Sequence, residues 1–306
     1  MTTTSVSRML YVYPWDLAVR ANQQRYPTHE RVPILKSSEI LLDETYYSQA
    51  DLDLLLADKQ KDVVDNTVPY HDGQDCELFP EGEAPKQLER PPELLPPSDT
   101  VALAITAVGA PSRDSGDDAK TPIIPRVGVR RIVRRVRLQT PAVVKTALRM
   151  SEMVVRHESW IDIKRRELRI VTRNESWANT AMVGDVTVYR GISDTSALRG
   201  KVPVAPMGTD HKFVGPIAAA AAAATTTTSI SGHCGQQQQL PLTMKTKQEQ
   251  GEWCLFQQYA YFKISPTFSI PFRSTIEAKC LQCYQSNTQE GRKLDIEFMQ
   301  QQAAAL

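Results

Sequence analysis

Two stretches of this 306-residue chain lack the means to pack a core, and they divide what can fold into three pieces. Residues 45–125 hold 16 acids against six bases and are punctuated by Pro80, Pro85, Pro91, Pro92, Pro96 and Pro97. Such a segment buries too little apolar surface to offset the entropy of ordering it, so it reads as an acidic, proline-rich disordered insert. Residues 192–248 read as a second, low-complexity insert, with alanine from Ala218 to Ala224, threonine from Thr225 to Thr228 and glutamine from Gln236 to Gln239. What remains, about 8–44, 126–191 and 249–303, is expected to form one discontinuous domain within residues 1–303.

The 41% hydrophobic and 23% charged fractions are those of a chain with a core. No run of apolar residues reaches the length of a membrane span. The net charge of +1 conceals a strong polarity. Residues 126–173 carry 14 bases against four acids, with Arg130, Arg131, Arg134, Arg135 and Arg137 close together. That excess calls for either an anionic partner or an internal electrostatic clamp. The five cysteines form no disulfide framework and read as reduced thiols. The first residues lack the apolar stretch of a secretory signal.

The short aromatic run at residues 8–13 predicts a strand, and Pro14 starts a helix over Trp15 to Gln24. Val32 to Leu42, Met153 to Asp162, Glu167 to Trp177 and Val183 to Tyr189 read as further strands, the last with Val186 and Val188 on one face. The aromatic-rich segment Glu252 to Ser265 is another. A long helix then runs to about Gln302, with an apolar stripe of Phe272, Ile276, Cys280, Cys283, Leu294 and Phe298. Asn287 and Gly291 fall on the same stripe, where a core would ordinarily place leucine. Residues 129–138 are ambiguous. Val129, Ile132, Val133 and Val136 fit an amphipathic helix, while the β-branched content fits a strand.

Tyr13-Pro14-Trp15, Arg25-Tyr26-Pro27, Asn174-Glu175-Ser176-Trp177, Glu252-Trp253, Phe256 and Tyr284-Gln285-Ser286-Asn287 occur in an order that resembles the PRELI/MSF1 family. The resemblance spans the three foldable pieces. It implies an α+β, StART-like fold, in which a curved antiparallel sheet of about seven strands packs on a long C-terminal helix around a lipid cavity. It also makes residues 129–138 a strand. The implied function is non-enzymatic binding and transfer of an acidic phospholipid, of the phosphatidic acid or phosphatidylserine class, in the mitochondrial intermembrane space. A transient membrane contact and a small helical partner with twin Cys-x9-Cys motifs come with that reading. The alternatives are a degenerate module of the same family acting as a protein-interaction adaptor, and a cytoplasmic location.

A lipid phosphate removed from water needs cations, and arginine suits it through bidentate, permanently charged contact. The resemblance places Arg25 at a headgroup position, with Asn287 as a hydrogen-bonding partner on the C-terminal helix. In strand 129–138 the arginine doublets put charge on both faces, and Arg135 and Arg137 are the candidate phosphate contacts. Lys293 is a further candidate, one turn beyond Gln285 and Glu290, which stand where mitochondrial members carry lysines. Pro141, Val143, Val144 and Leu148 are expected in a membrane-touching lid loop, and Ile276, Cys280, Cys283 and Leu294 along the cavity. The Cys280-x-x-Cys283 pair has no second pair to complete a zinc site, so no metal or cofactor is expected. Without G-x-S-x-G, H-E-x-x-H or a phosphate loop, an enzyme is not expected, and nucleic acid is not the expected partner.

Overall fold

The computed structural model describes residues 3–32, 34–48, 51, 71–72, 78–79, 124–125, 128–140, 145–146, 151–198, 200–205, 252–267 and 272–304. In chain order these form β1 (Thr3–Tyr11), α1 (Trp15–Gln23), β2 (Leu35–Tyr46), β3 (His71–Asp72) and β4 (Val129–Gln139). They continue with β5 (Glu152–Asp162), β6 (Glu167–Asn174), β7 (Ala181–Asp194), β8 (Trp253–Ile264) and α2 (Arg273–Ala304).

Seven strands build one open antiparallel sheet in the order β1-β8-β7-β6-β5-β4-β2. The two-residue β3 adds to the far end of β7 in parallel. The architecture is the α+β arrangement of an antiparallel sheet with a C-terminal helix packed on it. Residues 129–138 lie in β4, paired with β2 on one side and β5 on the other.

Strand alternation sorts the side chains into two faces. Facing α1 and α2 are Met9 and Tyr11 of β1, Ile161 of β5, Leu168 and Ile170 of β6, Tyr189 of β7 and Phe256 of β8. These close the main core with Trp15, Leu17, Ala18, Val19 and Ala21 of α1 and Ile296 and Met299 of α2. The apolar face expected for β7, Val186 and Val188, points the other way. It is covered by Phe79, together with Tyr259 and the partly buried Val6, Val171 and Tyr261.

Phe79 belongs to the acidic segment read as an insert, and it is docked. Its backbone N–H donates to Gln257 Oε1 at 2.8 Å, and Arg8 Nη2 donates to its carbonyl. The chain after β7 is docked as well. Leu198 and Val202 pack with Leu10, Ile192 and Leu255, and Leu10 exchanges backbone hydrogen bonds with Pro203 and Ala205, both at 2.8 Å. This contact blunts part of the open edge of β1.

The basic excess of β4 to β6 finds acids inside the fold. Arg130 pairs with Asp43 at 2.6 Å, Arg131 with Glu158 at 2.8 Å, and both Arg169 and Arg190 with Glu167, at 3.3 and 2.5 Å. These acids come from β2, β5 and β6.

α2 is 32 residues long, about 48 Å at 1.5 Å per residue. Its buried positions are Glu277, Cys280 and Leu281 near one end and Gly291, Arg292, Leu294, Asp295, Ile296 and Met299 near the other. The first group packs with Ala181, Phe262 and Ile264, and Glu277 accepts a hydrogen bond from the Ile264 backbone N–H at 2.7 Å. Phe272, expected to begin the buried stripe, is 81% exposed with φ of 57° just before the helix starts. The expected single stripe is in fact two anchors with an unburied span between them.

Deleting the Phe79 ring removes the cover from the outer face of β7 and β8. Phe79→Ala is expected to destabilise the chain by about 3 kcal/mol, read as a shift of the urea midpoint. An unchanged midpoint would show that the acidic segment adds nothing to stability.

Candidate ligand cavity

The span between the anchors of α2 stands over a partly open cavity of about 200 Å³. One side of that cavity is apolar, lined by Val32, Ile34 and Leu35 near the start of β2, Val136 and Leu138 of β4, and Val155 of β5. The other side is polar. Asn22 and Arg25 enter from α1 and its end, Asp185 and Thr187 from β7, and Gln258 from β8. α2 contributes Tyr284, Asn287, Thr288, Gly291 and Arg292, an i, i+3, i+4, i+7, i+8 series along one helix face.

Gly291 and Arg25 explain one another. A Cβ at residue 291 would meet Arg25 Nη1 at 3.0 Å, so the missing side chain lets the guanidinium lie against the helix. There Arg25 Nε donates to Asp295 Oδ1 at 2.7 Å, and Nη2 donates to the Gly291 carbonyl at 2.9 Å and to Asp295 Oδ2. Asp295 is fully buried, and Arg25 is about 20% exposed. Tyr189 Oη also donates to Asp295, at 3.2 Å, and accepts from Asn22 Nδ2 at 3.2 Å. Burial pulls the Arg25 pKa down, but the Asp295 carboxylate outweighs it and holds the guanidinium charged.

A cross-strand row runs over the sheet face below α2, from Arg134, which lies outside the cavity lining, through His157 and Thr172 to Asp185, which line it. Registers place Arg134 of β4 beside His157 of β5, His157 beside Thr172 of β6, and Thr172 beside Asp185 of β7. Tyr26 lies over this row, with its hydroxyl 3.0 Å from His157 Nε2 and its ring 4.6 Å from the Arg134 guanidinium. Burial, reinforced by Arg134 and Arg25, pushes the His157 pKa down to about 3, so the imidazole is neutral at physiological pH. Arg134 is buried, and among the described residues its Nε and Nη1 find no hydrogen-bond acceptor. Burial lowers its pKa.

Asp185 ends the row. Its carboxylate accepts from Tyr284 Oη, and Gln258 Nε2 donates to that same hydroxyl at 2.9 Å. Thr172 and Thr187 also bond it, yet burial outweighs all three and raises its pKa to about 6.

Of the residues singled out in the sequence, Arg25 and Asn287 line the cavity. Arg135 and Arg137 are on the opposite face of β4, exposed, and Arg135 pairs with Glu175 at 2.8 Å. Next to them, Arg134 has the inward parity and is buried against Tyr26, though it is not itself among the cavity-lining residues. Lys293 pairs with Glu290 at 2.8 Å on the exposed side of α2. Ile276 and Cys280 belong to the first anchor, Leu294 is buried in the second, and Cys283 is partly buried. None of these four is among the cavity-lining residues. Pro141, Val143, Val144 and Leu148 lie outside the described residues.

Sequence reading missed Asp185, His157, Tyr284 and Asp295. A signal existed for Asp185, the odd-numbered partner of Thr187 and Tyr189 on the polar face of β7. No family model matches the chain, and no curated protein matches it.

Breaking a buried ion pair from one side strands the other charge. Arg25→Met is therefore expected to cost about 3–5 kcal/mol, and adding Asp295→Asn to restore most of it, as read by chemical denaturation. Equal losses in the single and double variants would mean that the pair is not a unit.

The Asp185 shift has a defined sign. Below about pH 4 the carboxyl is protonated in both folded and unfolded chains, and the stability tied to this proton is fully present. Between about pH 4 and 6 the folded chain holds the proton more tightly, so this contribution falls as pH rises and is fully lost above 6. Relative to wild type, Asp185→Asn should gain stability progressively from pH 4.5 to 7, measured by paired thermal melts. A difference that does not change with pH would refute the shift.

Proposed function

We propose that this chain binds an acidic phospholipid, of the phosphatidic acid or phosphatidylserine class, and carries it between membranes without catalysis. The observation that carries the reading is the span of α2 held over a cavity that is apolar on one side and cationic on the other. A phospholipid has the same division. Its chains gain about 0.8 kcal/mol per buried CH2, and its phosphate needs charge-assisted hydrogen bonds once water is removed. Arg25 and Arg292 supply cations on the polar side, and Val32, Leu35, Val136 and Leu138 supply the apolar wall.

The resemblance of the sequence motifs to the PRELI/MSF1 family supports the same reading. With it come the intermembrane-space location, the transient membrane contact and the small helical partner as parts of one proposal. The volume of about 200 Å³ suits a headgroup. Pockets for drug-sized ligands run to roughly 300–1,000 Å³, so uptake of acyl chains requires α2 and the sheet to separate. That small volume also favours the second reading, an adaptor that no longer carries lipid.

Native mass spectrometry of the full chain purified from cells separates the two. A one-to-one adduct of an acidic phospholipid is the expected result. An empty protein that also fails to load from acidic vesicles would overturn the carrier reading in favour of the adaptor.

A further inference from the structure

Phosphate recognition alone gives no reason for a carboxylate in the cavity. Asp185 is nevertheless buried among the lining residues, on the same sheet face as Tyr189 and Thr187. Without a bound cation it is a net cost, since the groups that bond it are uncharged. Its three partners, Tyr284, Thr172 and Thr187, are all hydroxyl groups. They stabilise an acceptor and bring no charge to it. An ionised carboxylate has about four lone-pair sites, so three donors leave capacity for a fourth.

The cation end of the cavity lies elsewhere on α2. Tyr284, which holds Asp185, and Gly291, against which Arg25 lies, are seven residues apart, about 10 Å along the helix. Asn287 and Thr288 line the stretch between them with neutral polar groups. Along one helix face there therefore lie Asp185 of β7 as an anion station, a neutral hydrogen-bonding stretch, and Arg25 with Arg292 as a cation station. A ligand with a single negative group is repelled by the first station. A ligand with an ammonium beside its phosphate matches both.

We propose that the cavity selects a phospholipid headgroup bearing a primary ammonium, which Asp185 receives while the phosphate lies toward Arg25 and Arg292. The inference rests on the carrier reading above and sets its cargo by the ammonium, which phosphatidylserine shares with the zwitterionic phosphatidylethanolamine. The ammonium, with three N–H donors, gives the Asp185 carboxylate the compensating charge that its hydroxyl partners lack. Phosphatidic acid and phosphatidylglycerol have no cationic group to offer there.

The test uses the full chain incubated with vesicles of phosphatidylcholine doped equally with phosphatidylserine, phosphatidylethanolamine, phosphatidic acid and phosphatidylglycerol. Bound lipid is then identified after re-isolation. The wild-type chain is expected to load the two amine-bearing lipids at least tenfold over the other two. Asp185→Asn removes the charge with little change of shape and should abolish that preference while still loading lipid. Asp185→Glu, which keeps the carboxylate, should retain it. Equal loading of all four lipids by wild type, or an undiminished preference in Asp185→Asn, would overturn the inference and leave the carrier reading standing. Loading of no phospholipid at all would overturn both.

Discussion

The buried pair of Arg25 and Asp295 is the joint on which the arrangement of helix and sheet depends. It ties the end of α1 to the last third of α2 and, through Tyr189, to the centre of the sheet. Three separated stretches of sequence meet there. The joint is costly to assemble, because a fully buried carboxylate tolerates burial only with good geometry on every side. Arg25 and Tyr189 meet that demand together, and Gly291 meets it by having no side chain. Removing any one of the three leaves a charge or a hydroxyl without its partner in the dry part of the fold.

With α2 fixed at that joint and again at Glu277 and Cys280, its middle is free of the packing that usually fixes a helix. A helix of this length ordinarily gains its stability from an apolar face. Here the middle face is made of Tyr284, Asn287, Thr288 and Gly291, with no large aliphatic side chain among them. The cavity follows directly from that composition. It is polar on the helix side and at Asp185 and Thr187 of β7, and apolar toward β2, β4 and β5. The outer face of the sheet shows the opposite economy, with Phe79 and the segment around Leu198 covering apolar residues that would otherwise meet water.

Much of the fold was legible because strand and helix periods are strong signals over long elements. The strands at 152–162, 167–174 and 253–264 fall where alternation places them, and α2 falls where steps of three and four place it. Asn287 and Gly291 were conspicuous as misfits on an apolar stripe, and both line the cavity. The choice among the arginines was not legible. Doublets satisfy either parity, and only the register of β4 against β5 shows that Arg134, not Arg135 or Arg137, faces inward. Phe79 gave no warning, since one aromatic residue in an acid-rich segment carries no period. Asp295 was hidden for a different reason. An acid beside Leu294 reads as the polar edge of a stripe until Arg25, 270 residues away, is placed against it.

The two ends of α2 differ in the strength of their supports. The first rests on a small cluster around Phe262, Ile264 and Cys280, with the Ile264 backbone N–H donating to Glu277. The second rests on the main core and a buried ion pair. In mechanical terms the helix is a beam clamped firmly at one end and lightly seated at the other. A beam so held does not rise evenly. It lifts from the lighter seat and pivots about the clamp, so the mouth of the cavity would open on the Asp185 side before the Arg25 side moves.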